Sequence, residues 1–329
     1  MKFVKTRIAP TPSGFLHIGN VLSFSLTAGL ARQAGASILL RIDDLDRERF
    51  AVEYLEDIFE TLRFLGIPWD EGPRDVEDFE KSWSQVHRMG LYERALGVLR
   101  ESGAVFACNC SRAQLVGSKG YPGTCREKGI SLDADGVNWR LRTEGRESRA
   151  EGRGSWTEES GSWADGREAW AEGSRSWVEG NGLTADGSNL RTEGSGLPVE
   201  MRDFVVRRKD GYPAYQLSSV VDDLYYNVDL VVRGEDLRAS TEAQLYLAKV
   251  LGAEEFGRVQ FVHHPLLLEN GEKLSKSAGA TSIQYLRKQG YSAADVFSLI
   301  ARSLESAEPV RDWQSAAKLL FARGYGVDR

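Results

Sequence analysis

No run of about 18 apolar residues occurs anywhere in the chain, which excludes a transmembrane helix. The opening residues, MKFVKTRIAPTP, lack the apolar core of a secretory leader, so a cytoplasmic location is expected. Cysteine is scarce, three in 329 residues, and that small odd count excludes a disulfide framework. Basic charge is not in excess either. The 42 Lys and Arg face 48 Asp and Glu, and a formal charge of -6 argues by itself against nucleic acid. What remains, 41% hydrophobic and 27% charged, is a globular composition long enough for two or three domains.

The acidity is local. Residues 143–196 hold eleven acids against six arginines, so that stretch carries -5 and the other 275 residues about -1. An acid-Gly step recurs at a spacing of seven from Glu144-Gly145 to Glu193-Gly194, with Glu158-Glu159 in the one register that lacks it, and Trp156, Trp163, Trp170 and Trp177 keep the same period. A heptad suggests a coiled coil, but the apolar a/d pair is missing. Glycine at almost every repeat would also cost a helix about 1 kcal/mol each time. The stretch reads as a flexible, acidic, Gly/Ser-rich insertion. Binding through the tryptophans and a small ordered repeat fold are the alternatives.

Outside that insertion the pattern alternates. KFVKTRIAP and SILLRIDD read as strands. NVLSFSLTAGLARQAG reads as a helix closing on Gly35, AVEYLEDIFETLRFLG as one ending at Gly66, and RMGLYERALGVLRESG as a third. This rhythm predicts an α/β fold with a doubly wound parallel sheet. Such sheets bind ligands where strands end and helices begin, and GFLHIGN, residues 14–20, sits at the first such junction. A helix N-terminus offers N–H groups and a positive dipole end to phosphate. Gly19 would let a ligand approach the backbone, and His17 could donate a ring N–H to a phosphate oxygen. A turn histidine beside a helix-entry glycine has the same sequence.

A second stretch, EKLSKSAG at 272–279, places Lys273 and Lys276 around Ser275. Two lysines and serines on a loop can clamp a polyphosphate as charge develops on leaving pyrophosphate; alone, they also make an ordinary solvated turn. The early HIGN and late KLSKS together resemble the two signatures of class I aminoacyl-tRNA synthetases. RIAPTPSGFLHIGN, LLRIDDLDRER, AYQLSSVVDD and VVRGEDL are similar to the glutamyl-tRNA synthetase branch, over roughly residues 3–142 and 198–285. The resemblance implies a Rossmann-like catalytic domain that activates L-glutamate on ATP with Mg²⁺. It implies ATP binding by His17, Gly19, Asn20, Lys273, Ser275 and Lys276, of which His17 and Lys276 are catalytic. It implies glutamate binding by Arg7, Ala9, Thr11, Asp43, Tyr215 and Arg233. The chemistry suits the residue types, since arginine forks fit carboxylates and a carboxylate fits an ammonium. Two positions depart from the pattern. Asp43 stands where the branch has a glutamate, so the amine contact is water-bridged or the pocket is shifted. Asn20 stands where many class I enzymes have a second histidine.

The three cysteines, Cys108, Cys110 and Cys125, fall within 18 residues. The spacing fits a three-thiolate zinc site in need of a fourth ligand, or three ordinary thiols. Only 52 residues follow KLSKS, room for two or three helices such as SAADVFSLIARSL and DWQSAAKLLFARG but not for a helical anticodon-binding region. In this the chain resembles the shortened paralogue family, the glutamyl-queuosine tRNA(Asp) synthetases. That resemblance implies Tyr121 as the fourth ligand of a structural Zn²⁺. It implies transfer of glutamate to queuosine at the wobble position of tRNA(Asp), with L-glutamate and that tRNA as partners, no membrane and a monomer. Basic residues such as Arg207, Arg208 and Lys209 are expected to meet the RNA. A truncated glutamyl-tRNA synthetase charging the acceptor end and an inactive binding paralogue are the rival readings. The expected organisation has the first half of the catalytic domain at 1–100 and a zinc-containing, acceptor-type subdomain at 101–142. The repeat insertion follows at 143–197, the second catalytic half at 198–260, and the KLSKS loop with C-terminal helices at 261–329.

Overall fold

A computed structural model describes residues 3–143, 196–269, 272–273 and 282–326. Nearly all of the heptad repeat, together with Ser275 and Lys276, lies outside them. In chain order come β1 (Lys5–Ile8), α1 (Ile18–Ala34), β2 (Ser37–Leu40), α2 (Val52–Phe64) and α3 (Met89–Glu101). Then follow β3 (Val105–Cys108), β4 (Asn138–Leu141), β5 (Val205–Arg207), α4 (Tyr215–Tyr225), β6 (Leu230–Gly234), α5 (Arg238–Leu251) and β7 (Gln260–His264). The short β8 (Leu268–Glu269) and β9 (Glu272–Lys273) precede α6 (Ile283–Lys288), α7 (Ala293–Ser303) and α8 (Trp313–Ala322).

The main sheet runs β2-β1-β6-β7, every pairing parallel, with Arg7 opposite Leu39 and Arg233 opposite His263. β2 (SILL) and β6 (LVVRG) are apolar in near-continuous runs because both faces are covered, whereas β1 (KTRI) and the half-buried β7 (QFVHH) carry polar residues. Ile38, Leu40, Leu230 and Val232 pack with α1, α2 and the C-terminal helices, while Leu39 and Val231 pack with Val228 on the other side. The period of two in a strand produces that division. Helix α1 is buried along most of its length and ends on Gly35 at φ 71, the left-handed cap a glycine supplies without strain. At Gly29 the helix meets α8 so closely that a Cβ would lie 2.4 Å from the Cβ of Ala317.

A second, antiparallel sheet runs β3-β4-β5, with Val105 opposite Leu141 and Trp139 opposite Arg207. The segments on either side of 144–195 therefore lie on neighbouring strands. The division expected at residue 198 does not follow this sheet, because β5 pairs with β4 rather than with the parallel strands. The fully buried Asp203 secures the join. Its Oδ1 accepts from the Thr143 backbone N–H at 3.0 Å and from the Thr143 hydroxyl at 3.2 Å, and its Oδ2 pairs with Arg126. Among the described residues no helix is long and apolar enough to cross a membrane.

Candidate active site

Chain order reverses direction between β1 and β6, the place where open parallel sheets form a ligand crevice. A cavity of about 350 Å³ opens there, at the carboxyl ends of β1, β6 and β7 and the start of α1. Arg7, Ala9 and Thr11 line it from the end of β1, His17, Gly19 and Asn20 from the start of α1, and Asp43 from the segment after β2. Tyr215 and Arg233 complete it from α4 and β6. The structure thus brings nine residues singled out in the sequence to one cavity. Lys273 sits in β9 opposite Leu268. Ser275 and Lys276 lie outside the described residues.

The start of α1 corrects one expectation. Its first N–H groups are not simply open to an anion. The Gly19 N–H donates to His17 Nδ1 at 3.1 Å, and the His17 N–H donates to Asn20 Oδ1 at 3.0 Å, a reciprocal cap. Gly19 is glycine for the same reason: a Cβ there would meet His17 Cε1 at 2.9 Å. The cap has a chemical consequence. With Nδ1 accepting, the ring proton of a neutral His17 belongs on Nε2.

Beneath the cavity lies a buried charge network that sequence reasoning missed. Arg41 forks onto Asp43 (Nε to Oδ1 2.7 Å, Nη2 to Oδ2 3.0 Å) and donates through Nη1 to Asp223 at 2.6 Å. Arg7 donates to the same Asp223 oxygen at 3.2 Å. Asp222 accepts from both Nε and Nη2 of Arg88, from the Tyr92 hydroxyl at 2.7 Å and from Gln85 Nε2 at 2.9 Å. Burial would raise the Asp222 carboxyl, but Arg88 and Arg41 outweigh it and hold the group below the usual carboxylate range. Asp43 goes the other way, raised by burial against the pull of Arg41. Its two oxygens are already oriented by Arg41, so any amine meets a fixed carboxylate. The signal was present in RIDD, where Arg41 and Asp43 are two apart on extended chain, and in VVDD; neither says that the two stretches meet.

Arg233 is the contrasting cation. Its Nη1 donates to Gln244 Oε1 at 2.9 Å, and its Nε is buried with no hydrogen-bond partner among the described residues. Burial pushes this guanidinium below its ordinary value, with the Tyr215 hydroxyl opposing and Arg7 adding to the shift. A buried cation on a cavity wall with neutral partners suits an anionic ligand group.

The cysteines form a separate cluster at the end of β3. Their Sγ atoms all lie within 4.8 Å of one another, Cys110 and Cys125 at 3.5 Å. Tetrahedral zinc with ~2.3 Å thiolate bonds needs sulfurs about 3.8 Å apart, so the donor set fits. Tyr121 packs with them and its hydroxyl accepts from the Cys125 N–H at 2.7 Å. Burial would raise the Cys108 thiol, yet hydrogen bonds from Tyr121 and Arg140 help bring it down to about 7. Arg140 also lies 3.9 Å over the Tyr121 ring. Of the basic residues expected to meet RNA, Arg208 is engaged by Asp210 at 2.8 Å and by the Leu45 carbonyl at 2.8 Å. Arg207 lies over the Trp139 ring.

The family described as tRNA synthetases class I (E and Q), catalytic domain, matches residues 3–146 and 195–317. The glutamyl-Q tRNA(Asp) synthetase of Nitratidesulfovibrio vulgaris is 37% identical, the alignment covering 91% of this chain and 85% of that protein. The protein of the same name from Parasynechococcus marenigrum is 35% identical over 92% of this chain and 84% of its own. Among solved structures, the glutamate-tRNA synthetase of Elizabethkingia anophelis superposes with a TM-score of 0.64 at 19% identity, covering 96% of this chain and 65% of that one, a likeness of fold.

Proposed function

Because this chain belongs to the class I tRNA synthetases of the glutamate and glutamine type, and within them to the glutamyl-Q tRNA(Asp) synthetase family, we propose that it joins L-glutamate to queuosine at the wobble position of tRNA(Asp). It is a ligase-type enzyme. The observation that supports glutamate activation is the convergence of Arg7, Asp43, Tyr215 and Arg233 with the His17 cap on one cavity, and the queuosine acceptor is supported by the similarity to the glutamyl-Q tRNA(Asp) synthetases.

The first step is activation. An oxygen of the glutamate α-carboxylate attacks the α-phosphorus of ATP, forming the mixed anhydride as the bond to pyrophosphate breaks. The protein's work is positioning and charge stabilisation. Arg7 and Arg233 hold carboxylate oxygens, Tyr215 supports Arg233, and Asp43 faces the ammonium. The Nε2–H of His17 donates to a phosphate oxygen, and Lys273, Ser275 and Lys276 supply charge and hydrogen bonds to the triphosphate. In class I synthetases ATP reacts with Mg²⁺, which neutralises phosphate charge. Among the described residues the acids lining the cavity are Asp43, already held by Arg41, and Asp236. In the second step a hydroxyl of the queuosine diol attacks the activated carbonyl; an ester forms, AMP leaves, and the hydroxyl proton is released. Cys108, Cys110, Cys125 and Tyr121 would hold a structural Zn²⁺. Purified protein should contain one zinc per chain, and Cys125→Ser should lose it; full metal content in that variant would remove Cys125 from the ligand set.

The deciding experiment supplies labelled glutamate, ATP and tRNA(Asp) with or without queuosine. Label should enter only the queuosine-bearing RNA, and periodate oxidation of the diol beforehand should abolish it. Glutamate-dependent pyrophosphate exchange should proceed without tRNA. Labelling of queuosine-free tRNA, or of the terminal adenosine of tRNA(Glu), would replace this reading by a synthetase acting at the acceptor end.

A further inference from the structure

Arg233 is held from outside the cavity by residues that do not line it. Its Nη2 donates to Thr241 Oγ1 at 2.5 Å, its Nη1 to Gln244, and its guanidinium lies 4.9 Å over the Phe261 ring. The Thr241 hydroxyl has one proton and two acceptors in reach: His263 Nε2 at 2.7 Å and the Leu237 carbonyl at 3.3 Å. When the neutral His263 ring carries its proton on Nδ1, Nε2 takes the hydroxyl proton over the shorter contact. A hydroxyl donating to His263 keeps its lone pairs for Arg233. Neither Thr241 nor His263 is among the cavity's lining residues, although His264 is.

We infer that His263 is a positioning residue: by accepting the Thr241 hydroxyl proton it aims Arg233 at a substrate carboxylate. The charged and titratable groups acting on His263 are Arg233 of β6, Arg238 of α5 and His264 of its own strand. Burial comes first, and with these cations it keeps the imidazole uncharged down to about 4, so one ring nitrogen remains an acceptor. The inference rests on the reading of Arg233 as a glutamate contact. It adds that a residue outside the cavity sets the affinity for one substrate and not the other.

Pyrophosphate exchange measured against both substrates tests this. In His263→Leu and in Thr241→Val, KM for glutamate should rise about tenfold while kcat and KM for ATP change less than about twofold. His263→Gln, whose amide oxygen can accept the same proton, should restore most of the glutamate affinity. The double variant His263→Leu/Thr241→Val should be no worse than either single one, because both remove the same link. Unmoved KM for glutamate in Thr241→Val and His263→Gln alike, with no defect in His263→Leu, overturns the inference. So does a uniform loss across both substrates. If His263→Leu fails to fold, the Thr241→Val and His263→Gln pair decides: raised KM in the first and near-normal KM in the second support it, any other pattern rejects it. Absence of glutamate-dependent exchange in the unaltered protein would instead refute the glutamate reading itself.

Discussion

Asp222 shows what a single buried residue costs when its surroundings change. Its carboxylate is fully buried and satisfied by Arg88, Tyr92 and Gln85, with Arg41 close by. A pair of this kind adds little net stability, since desolvation offsets the attraction, but removing one partner leaves an uncompensated charge. Arg88→Met should therefore destabilise the fold by about 3 kcal/mol or more, and adding Asp222→Leu should recover much of the loss. Denaturant melts of the three proteins check this; a double variant as unstable as the single one would show that the network is cooperative beyond the pair. The effect would reach the cavity, because Arg41 and Asp223 link this network to Asp43 and Arg7.

At the scale of elements, helix contacts and caps decide stability. Gly29 of α1 lies against Ala317 and Phe321 of α8, and a side chain there has backbone-fixed atoms to displace. Gly29→Val should cost about 1–3 kcal/mol by overpacking, read as a lowered thermal midpoint; an unchanged midpoint would mean that α8 moves away freely. The C-terminal helices carry another device. Ser292 with Asp295 caps α7, and Asp312 with Ser315 caps α8. The serine hydroxyl hydrogen bonds, with backbone help, hold both carboxyls below the usual range. A depressed carboxyl stabilises above its unfolded pKa, and the contribution disappears as pH falls through the folded value. Acidification below about pH 4 should therefore raise amide exchange in the first turns of α7 and α8 before that of α5, which has no side-chain cap. Simultaneous onset in all three helices would assign the caps no role.

At the scale of the molecule, the 143–196 stretch stands apart in sequence, and the family match skips nearly all of it. It joins β4 to β5, antiparallel neighbours whose ends are tied by Leu141 to Phe204 and by Thr143 to Asp203. Replacing residues 146–194 by a short linker asks the chain only to close a shorter hairpin connection. Closure entropy changes by about 0.6 kcal/mol per doubling of length, so the change is on the order of 2 kcal/mol in favour of the shorter loop. The shortened protein should melt no lower than the full chain and keep glutamate-dependent exchange. A drop in either would make the repeat part of the working structure.

Local order was legible because it depends on neighbours in sequence. The long apolar run of NVLSFSLTAGLARQAG and its closing glycine mark α1 and its end at Gly35, and RMGLYERALGVLRESG marks α3. The stretches that line the cavity were also legible, as separate stretches. Their meeting was not. Arg7 and Asp223 are 216 residues apart and touch only because β6 pairs with β1 rather than with β2. Gly19 reads in sequence as room for a ligand and in space as room for the His17 ring. Asp43 reads as a lone acid, and the fork of Arg41 is seen only once both are in place. Hydrogen-bond patterns a few residues long are set by the chain itself. Which buried charges share a partner is set by strand order, and that is settled only when the whole core packs.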